Sequence, residues 1–507
     1  MSTGGTFQLL VNTGIQDKML MATERLTSNI KRITTRNLRN ISAQHPNMTK
    51  EELKALETDW MPLLRDIERT HILFITSSYK PFVAMTHEYS KTMPKFGRAA
   101  LGEKFVFALP IIGEFVNDAV VHIKLDHFSS VNAVDKVRFV EFIGHRLIKR
   151  ATFRIKEHIF DEYTADDYNA FYQFKIKQHK EIGYLRNIGQ EIPKLGYLSA
   201  DPTVDEVREY RWFGDGTQTF KQRQSMLELW IPLLFWFKDI QCSLPNFILP
   251  TEQTKIEIEF EKEHNLIAFS DYGGGGAYNV PVVTECQLYL NHLFLLPSVM
   301  RIFTSRYSLQ LIRIHREHRE LLKHSSGNVH LSSLKWPVEC LYIQFRPVVN
   351  KSKSQQWYRG TEITETQVKE AVVLGSTTIQ VNSAVFMTEH DCITSMGLKA
   401  FSNIIYPELP PSFYNSYIPM RYGTHTKTPK NLGWYMMNFN FDPGNQQPSG
   451  HFNISRSREL YLQYTSATDA LNRDIIREDN PVELIVLSEC INFILFTGGN
   501  AILRFAT

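Results

Sequence analysis

A chain of 507 residues exceeds what one core usually occupies, and 43% hydrophobic with 12% aromatic content can fill the cores of roughly two to four domains. The formal charge is only +3, from 56 basic and 53 acidic residues, so whole-chain electrostatics give no basis for direct nucleic-acid binding. Thirty-three Phe and twenty-one Tyr, with 26 Gly and 22 Pro, favour strands and turns over helical bundles.

The first seventy residues differ from the rest. Between Arg25 and Lys50 lie six basic residues and no acidic one, interleaved with Leu26, Ile30, Ile33, Leu38 and Ile41. One reading is a solvated arm or short helix tucked under the domain. The other is an inward-facing arm that touches acidic minor proteins or an anionic membrane surface. Thr49 and Glu52 have the spacing of a capping box, and Leu53, Leu56, Trp60, Leu64 and Ile67 continue at helical spacing, with Pro62 set to kink the helix.

From His71 the pattern turns to strands. Runs at 74–89, 104–112 and 115–125 are broken by Pro81, Pro110 and Gly113, a spacing expected of a sandwich. Residues from about Asp161 to Gln224 are polar and turn-rich and read as a long excursion between strands. The strands resume at Leu227–Phe237, Cys242–Leu249 and Lys255–Phe260. In the last, Ile256, Ile258 and Phe260 face one way and Lys255, Glu257 and Glu259 the other, so one face is covered and one is wet. The longest apolar run, Leu229–Phe237, is too short to span a bilayer, and the first residues lack a signal-peptide core.

The second half opens with a strand at Leu309–His315, reads as a solvated linker around His315, Glu317 and His318, and resumes at Leu334–Arg346 with Leu341, Ile343 and Phe345 on one face. Residues 350–380 form another polar excursion. A faint repeat joins the halves: Thr284-Glu-Cys286 and Ser488-Glu-Cys490 each introduce an apolar strand of closing-strand character. Between strands at Tyr435–Phe441 and Leu460–Tyr464 lies a corner in which Pro448 fixes one φ, Gly450 relaxes another, and Asn453 and Ser455 can bond their own backbone.

No chemistry-bearing constellation emerges. Gly273–Gly276 has no Lys-Ser/Thr after it and reads as a hairpin tip rather than a phosphate cradle. His315, Glu317 and His318 do not have His-Glu-x-x-His spacing, and arginines crowd them. Ser449 and His451 adjoin in the corner, but a turn bonding its own backbone explains them without a nucleophile. Five dispersed cysteines, Cys242, Cys286, Cys340, Cys392 and Cys490, read as buried reduced thiols of a cytoplasmic protein rather than a disulfide or zinc framework. Sequons at Asn40, Asn47, Asn350 and Asn453 would not be modified in that compartment. No catalytic, cofactor or metal residue is expected.

Gln447-Pro-Ser-Gly450, then Asn453-x-Ser-Arg456 leading into a strand, resembles the second jelly roll of the major capsid proteins of nucleocytoplasmic large DNA viruses. The flanking Ser416-Tyr-Ile-Pro419, Tyr422-Gly423, Thr428-Pro429, Ile491-Asn-Phe493 and Ala501–Thr507 place the resemblance closest to the African swine fever virus branch. Lys335-Trp-Pro-Val-Glu339 fits a strand of that branch, and Phe142–Ile148 followed by Phe153–Tyr163 resembles the family's first-barrel strand pair and the short helix after it.

The resemblance implies a mainly β chain of two consecutive eight-stranded antiparallel jelly rolls, residues 71–300 and 301–507, behind an N-terminal basic arm and connector helix at 1–70. It implies a non-enzymatic major capsid protein forming pseudo-hexameric homotrimers that tile an icosahedral capsid over an internal membrane. Expected partners are further copies of the chain, minor capsid and penton proteins, and the inner membrane through the arm, without direct nucleic-acid binding. The setting would be the virion and, during assembly, the cytoplasmic virus factory. A double-jelly-roll scaffolding or minor capsid protein is the alternative, with a jelly-roll enzyme or carbohydrate binder behind it. Arg456 and Arg458 are expected to brace the corner through charge-assisted bonds.

Overall fold

The computed structural model describes residues 43, 49, 51–52 and 85–505, except 132–134, 193, 198–209, 250–252, 271–276, 307–308, 354–355, 375–376, 424, 458, 470 and 498–499. The basic arm, nearly all of the connector helix and the Gly273–Gly276 tip lie outside the described residues. At Thr49 the capping box is present: Glu52 Oε2 accepts from Thr49 N at 2.9 Å while Glu52 N donates to Thr49 Oγ1 at 3.4 Å.

The chain divides into two units, Met1–Glu88 with Leu293–Arg306, and Tyr89–His292 with Tyr307–Thr507. The described part of the first includes a helix at Pro297–Arg306. The sandwiches belong almost wholly to the second.

Among the described residues, sixteen strands make up the main sheets of the two sandwiches. In the amino-terminal half they are β1 (Met85–Thr92), β2 (Lys104–Ala108), β3 (Phe115–Leu125), β4 (Ile148–Ile155), β5 (His158–Thr164), β6 (Leu227–Pro232), β7 (Thr254–Phe260) and β8 (Val283–Leu295). In the carboxy-terminal half they are β9 (Leu309–Leu322), β10 (Ser326–His330), β11 (Pro337–Pro347), β12 (Ile393–Ala400), β13 (Asn403–Leu409), β14 (Trp434–Asn438), β15 (Leu460–Ser466) and β16 (Val482–Thr497).

The first half forms sheets ordered β1-β8-β3-β6 and β2-β7-β4-β5, the second β9-β16-β11-β14 and β10-β15-β12-β13. The same order occurs twice, which is the double jelly roll the resemblance implied. The closing strands β8 and β16, which carry Cys286 and Cys490, hold equivalent places one in from an edge, so the three-residue repeat marks a real structural repeat.

Alternation built these sheets. Ile256, Ile258 and Phe260 of β7 are at most 1% exposed and share the first core with Phe105, Phe107 and Phe153 from the same sheet and Val121, Ile123 and Leu290 from the other. Register places Ile256 between Phe107 and Phe153, so an aliphatic side chain of the middle strand is flanked by rings from the strands on either side. The second core repeats this with Ile312, Ile314, Leu341, Ile343, Phe345, Leu398, Leu462 and Leu484. All five cysteines are buried free thiols, as expected, and burial pushes Cys286 and Cys490 up to about 12.

Three readings need correction. The excursion after Asp161 opens with the short helix the resemblance implied after the strand pair, α1 (Ala165–Phe174), begun by Thr164 N donating to Asp167 Oδ2 at 2.8 Å, and it holds a second helix, α2 (Gln178–Asn187), that the turn-rich reading lacked. Within Phe142–Ile148, residues Ile143–Leu147 turn helical behind Phe142 at φ 51°, so the strand pair proper is β4 and β5. Residues 350–380 are not simply irregular, because Thr361–Leu374 pairs antiparallel with Thr377–Asp391 in a long two-stranded ribbon.

Candidate functional site

For a chain whose sequence offers no reaction centre, the informative places are the corner and the seam where the two barrels meet. The corner follows β14, whose five residues are all buried. Tyr435 and Met437 point into the barrel core, while Trp434 and Met436 pack with Ala170 and Phe174 of α1. A helix from the first barrel thus covers the outer face of a sheet in the second. Neighbouring β11 is buried along its whole length for the same reason, with Cys340 and Tyr342 in the α1 cluster.

Beyond β14 the chain turns at Asp442–Ser449, where Ser449 Oγ accepts from Asp442 N at 2.8 Å, the local turn bond expected of it. Neighbouring His451 is exposed. Gly450 is required by proximity, because a Cβ there would lie 2.9 Å from Phe439 O. Ser455 does not bond its own loop. Its Oγ accepts from Trp336 N at 2.7 Å while Ile454 N donates to Trp336 O at 3.1 Å, stitching the corner to a residue held at φ 75°.

The expected bracing by Arg456 is not found. It is exposed and has no hydrogen bond or ion pair among the described residues, and Arg458 lies outside them. Arg313 of β9 has the role instead. Its Nε donates to Glu339 Oε2 at 2.5 Å and its Nη2 to the carbonyls of Asn445 at 2.7 Å and Gln446 at 3.1 Å. Gln446 Nε2 then donates to Cys242 Sγ of the first barrel at 2.8 Å.

Arg313 belongs to a pattern that overturns the solvated-linker reading of residues around 315–318. These residues continue β9, paired with β16 from Leu309 to Leu322. Ile312 and Ile314 fill the core, and alternation turns Arg313, His315, Glu317 and Arg319 to the opposite face, the seam. There His315 N donates to Asp161 Oδ1 of the first barrel at 2.8 Å, and its ring Nδ1 lies 3.1 Å from Asp161 Oδ2. That ring is a structural partner of a buried carboxylate.

The seam's central ion pairs surround the start of α1. Arg346 Nη1 donates to Asp166 Oδ1 at 2.7 Å and its Nη2 to Glu483 Oε2 at 2.7 Å, while Arg319 Nη2 lies 2.8 Å from Asp166 Oδ2. Arg346 and Glu483 are directly opposed on β11 and β16, so the sheet's register sets that pair. Lys175, just past α1, is ion-paired to Glu489. Burial alone would raise both acids, but Arg346 and Arg319 hold Asp166, and Lys175 with His315 holds Glu489, down to about 2.

Desolvation, with Glu317 near, raises Asp167 to about 7. The far end of α1 is clamped by backbone: Gln173 Oε1 accepts from Lys430 N and Asn431 N at 2.9 and 3.3 Å, and Lys427 N donates to Phe174 O at 2.8 Å. The seam can therefore fix the two sandwiches against each other.

The description "Large eukaryotic DNA virus major capsid protein" matches residues 301–506, and "Major capsid protein N-terminus" matches residues 82–296. The chain is 24% identical to the hexon protein p72 of African swine fever virus (isolate Tick/Malawi/Lil 20-1/1983), with all of both chains covered in an alignment of 674 positions. Among solved structures, the Faustovirus major capsid protein superposes with a TM-score of 0.75 at 26% identity, covering 96% of this chain and 100% of that one. VP54 of PBCV-1 superposes at 0.64 with 16% identity, covering 86% and 100%, a likeness of fold. With the duplicated sheet order and the covered seam, these similarities place the chain in the major capsid proteins of large eukaryotic DNA viruses, structural components of the virion capsid that assemble with their own copies and are not enzymes.

Proposed function

We propose that three copies associate into a capsomer of pseudo-hexagonal outline, and that these capsomers pave an icosahedral shell over an inner membrane. Two similar wedges per chain, repeated about a threefold axis, give six similar outlines, and that geometry suits hexagonal tiling. The observation that carries this reading is the single sheet order repeated in both halves, joined through a buried seam rather than a flexible hinge. Large apolar side chains left exposed on the second barrel support contacts between copies: Phe441 is 83% exposed, Ile404 66% and Met420 65%.

In this reading residues 1–70 are an inward arm and connector, and 71–300 and 301–507 are the two jelly rolls. The arm's basic residues meet minor capsid proteins or the inner membrane, penton proteins fill the vertices, and assembly proceeds in the cytoplasmic virus factory. Nucleic acid is not contacted directly, and no residue serves a catalytic, cofactor or metal role. Mass measurement with negative-stain microscopy on the purified full chain tests the proposal. Particles of three chains with a hexagonal outline are expected, and a monomer that persists at micromolar concentration would overturn it.

A further inference from the structure

Where the two barrels meet, a partly open cavity of about 620 Å³ has six basic residues in its wall against three acidic ones. Arg146, Lys149 and Arg150 come from the first barrel, and Arg319, Arg346 and Lys351 from the second. Five of the six have carboxylate partners. Arg346 and Arg319 share Asp166, Lys149 lies 2.5 Å from Glu259, Arg150 lies 3.1 Å from Glu162, and Lys351 lies 3.3 Å from Glu483.

Arg146 is the exception. Its side chain is only 7% exposed, yet among the described residues no carboxylate lies within 4.0 Å of it. Its single hydrogen bond runs from Nη2 to the carbonyl of Lys351 at 3.0 Å, and the guanidinium rests over the Trp357 ring with 5.2 Å to the centroid. Burying a guanidinium without a counter-ion is unfavourable unless something supplies the negative charge. Burial lowers its pKa to about 10, with Glu261 and Asp166, neither in contact with it, offsetting that only in part and Arg346 adding to it. Lys149, Lys351 and Arg150 are about half exposed, so their heads can swing from their present partners toward an occupant.

The volume lies in the range of small-molecule sites and is larger than one carboxylate fills. Cations on both walls favour an occupant with several negative groups, and guanidinium forks suit phosphate oxygens. We propose that this cavity binds a small anion bearing several phosphates, with Arg146 at its base and Lys149, Arg150 and Lys351 at its rim, so that the ligand links the two barrels of one chain.

The test uses the purified full-length protein at constant ionic strength, with tripolyphosphate as the first probe and ATP and inositol hexakisphosphate as arms that distinguish possible sources. Saturable binding of one tripolyphosphate per chain is expected, with a rise in melting temperature that matched sodium sulfate does not reproduce. Lys149→Gln and Lys351→Gln, both at the surface, should each weaken that binding about fivefold and leave the melting of the unliganded protein nearly unchanged. Arg146→Gln should abolish saturation. The proposal fails if none of the three probes saturates the wild type, if sulfate gives the same rise, or if both lysine variants bind like wild type.

Discussion

The barrel interiors and the seam between the barrels are both buried, but they are built from opposite materials. The interiors are aliphatic and aromatic, with Phe105, Phe153, Ile258, Leu341 and Phe345 fully inside. Shape there is set by volume, and similar apolar residues can be exchanged at modest cost. The seam holds the buried Asp161, Asp166 and Arg346, with the partly buried Glu489, beside Trp434 and Tyr342. Paired charges tolerate few geometries, so a seam of this kind fixes one relative orientation of two sandwiches where an all-apolar contact would accept several. For a paving unit that orientation is the functional quantity.

The sharpest way to break this comparison is Arg346→Met. It leaves the buried Asp166 and the partly buried Glu483 with weaker compensation, and about 3–5 kcal/mol should be lost in denaturant unfolding. If the seam behaved as an exposed ion-pair patch, the loss would be under about 1 kcal/mol. Phe153→Leu in the first core provides the apolar counterpart, with an expected loss of about 1–2 kcal/mol.

Acid should separate the regions next. His145 is fully enclosed, with Nε2 2.9 Å from Tyr184 Oη, and burial lowers it to about 3. A histidine depressed in the folded state contributes stability that is present above its ordinary value of 6.5 and is lost as pH falls toward 3. Between pH 6.5 and 4 that loss is roughly 3 kcal/mol. Asp166 and Glu489, depressed below 3.8 and 4.5, add their own losses only under more acidic conditions, toward pH 2. Asp167, raised to about 7, acts with the opposite sign over this range, adding stability as pH falls from 7 toward 4. His145→Gln should therefore raise the melting temperature at pH 4 relative to that at pH 6.5 by comparison with the wild type, and leave the fall below pH 4 in place.

The smallest effects lie in the corner. Ser449→Ala removes the acceptor for Asp442 N and should cost about 1 kcal/mol in thermal unfolding. Arg456→Ala should stay within about 0.5 kcal/mol, since that side chain is exposed and unpaired among the described residues. A larger loss at Arg456 than at Ser449 would return the bracing role to Arg456 and take it from Arg313.

The apolar half of this comparison was legible in the sequence. Alternation along Ile256–Phe260 and Leu341–Phe345 identified core faces directly, and the dispersed cysteines read correctly as buried thiols. The seam was not legible, because its charges have the same composition as a solvated surface. His315, Glu317 and Arg319 look like a linker until β16 and Asp161 are placed beside them. The helix that closes the seam has a signal that was available, Thr164-Ala-Asp-Asp167, but Tyr168, Tyr172 and Phe174 are buried on several sides rather than along one stripe, so periodicity does not announce it. The corner's shape was readable from Pro448, Gly450 and Ser449, whereas its anchor, Arg313, lies more than a hundred residues earlier in the chain.

That α1 shields Trp434 and Met436 bears on how the protein is made. A ribosome releases the shielding helix long before the strand it shelters, so the sticky sheet emerges when its lid is already available. A carboxy-terminal half expressed alone would lack that lid and would present the indole and thioether to solvent, which makes the two wedges unequal partners in biogenesis despite their matching outlines.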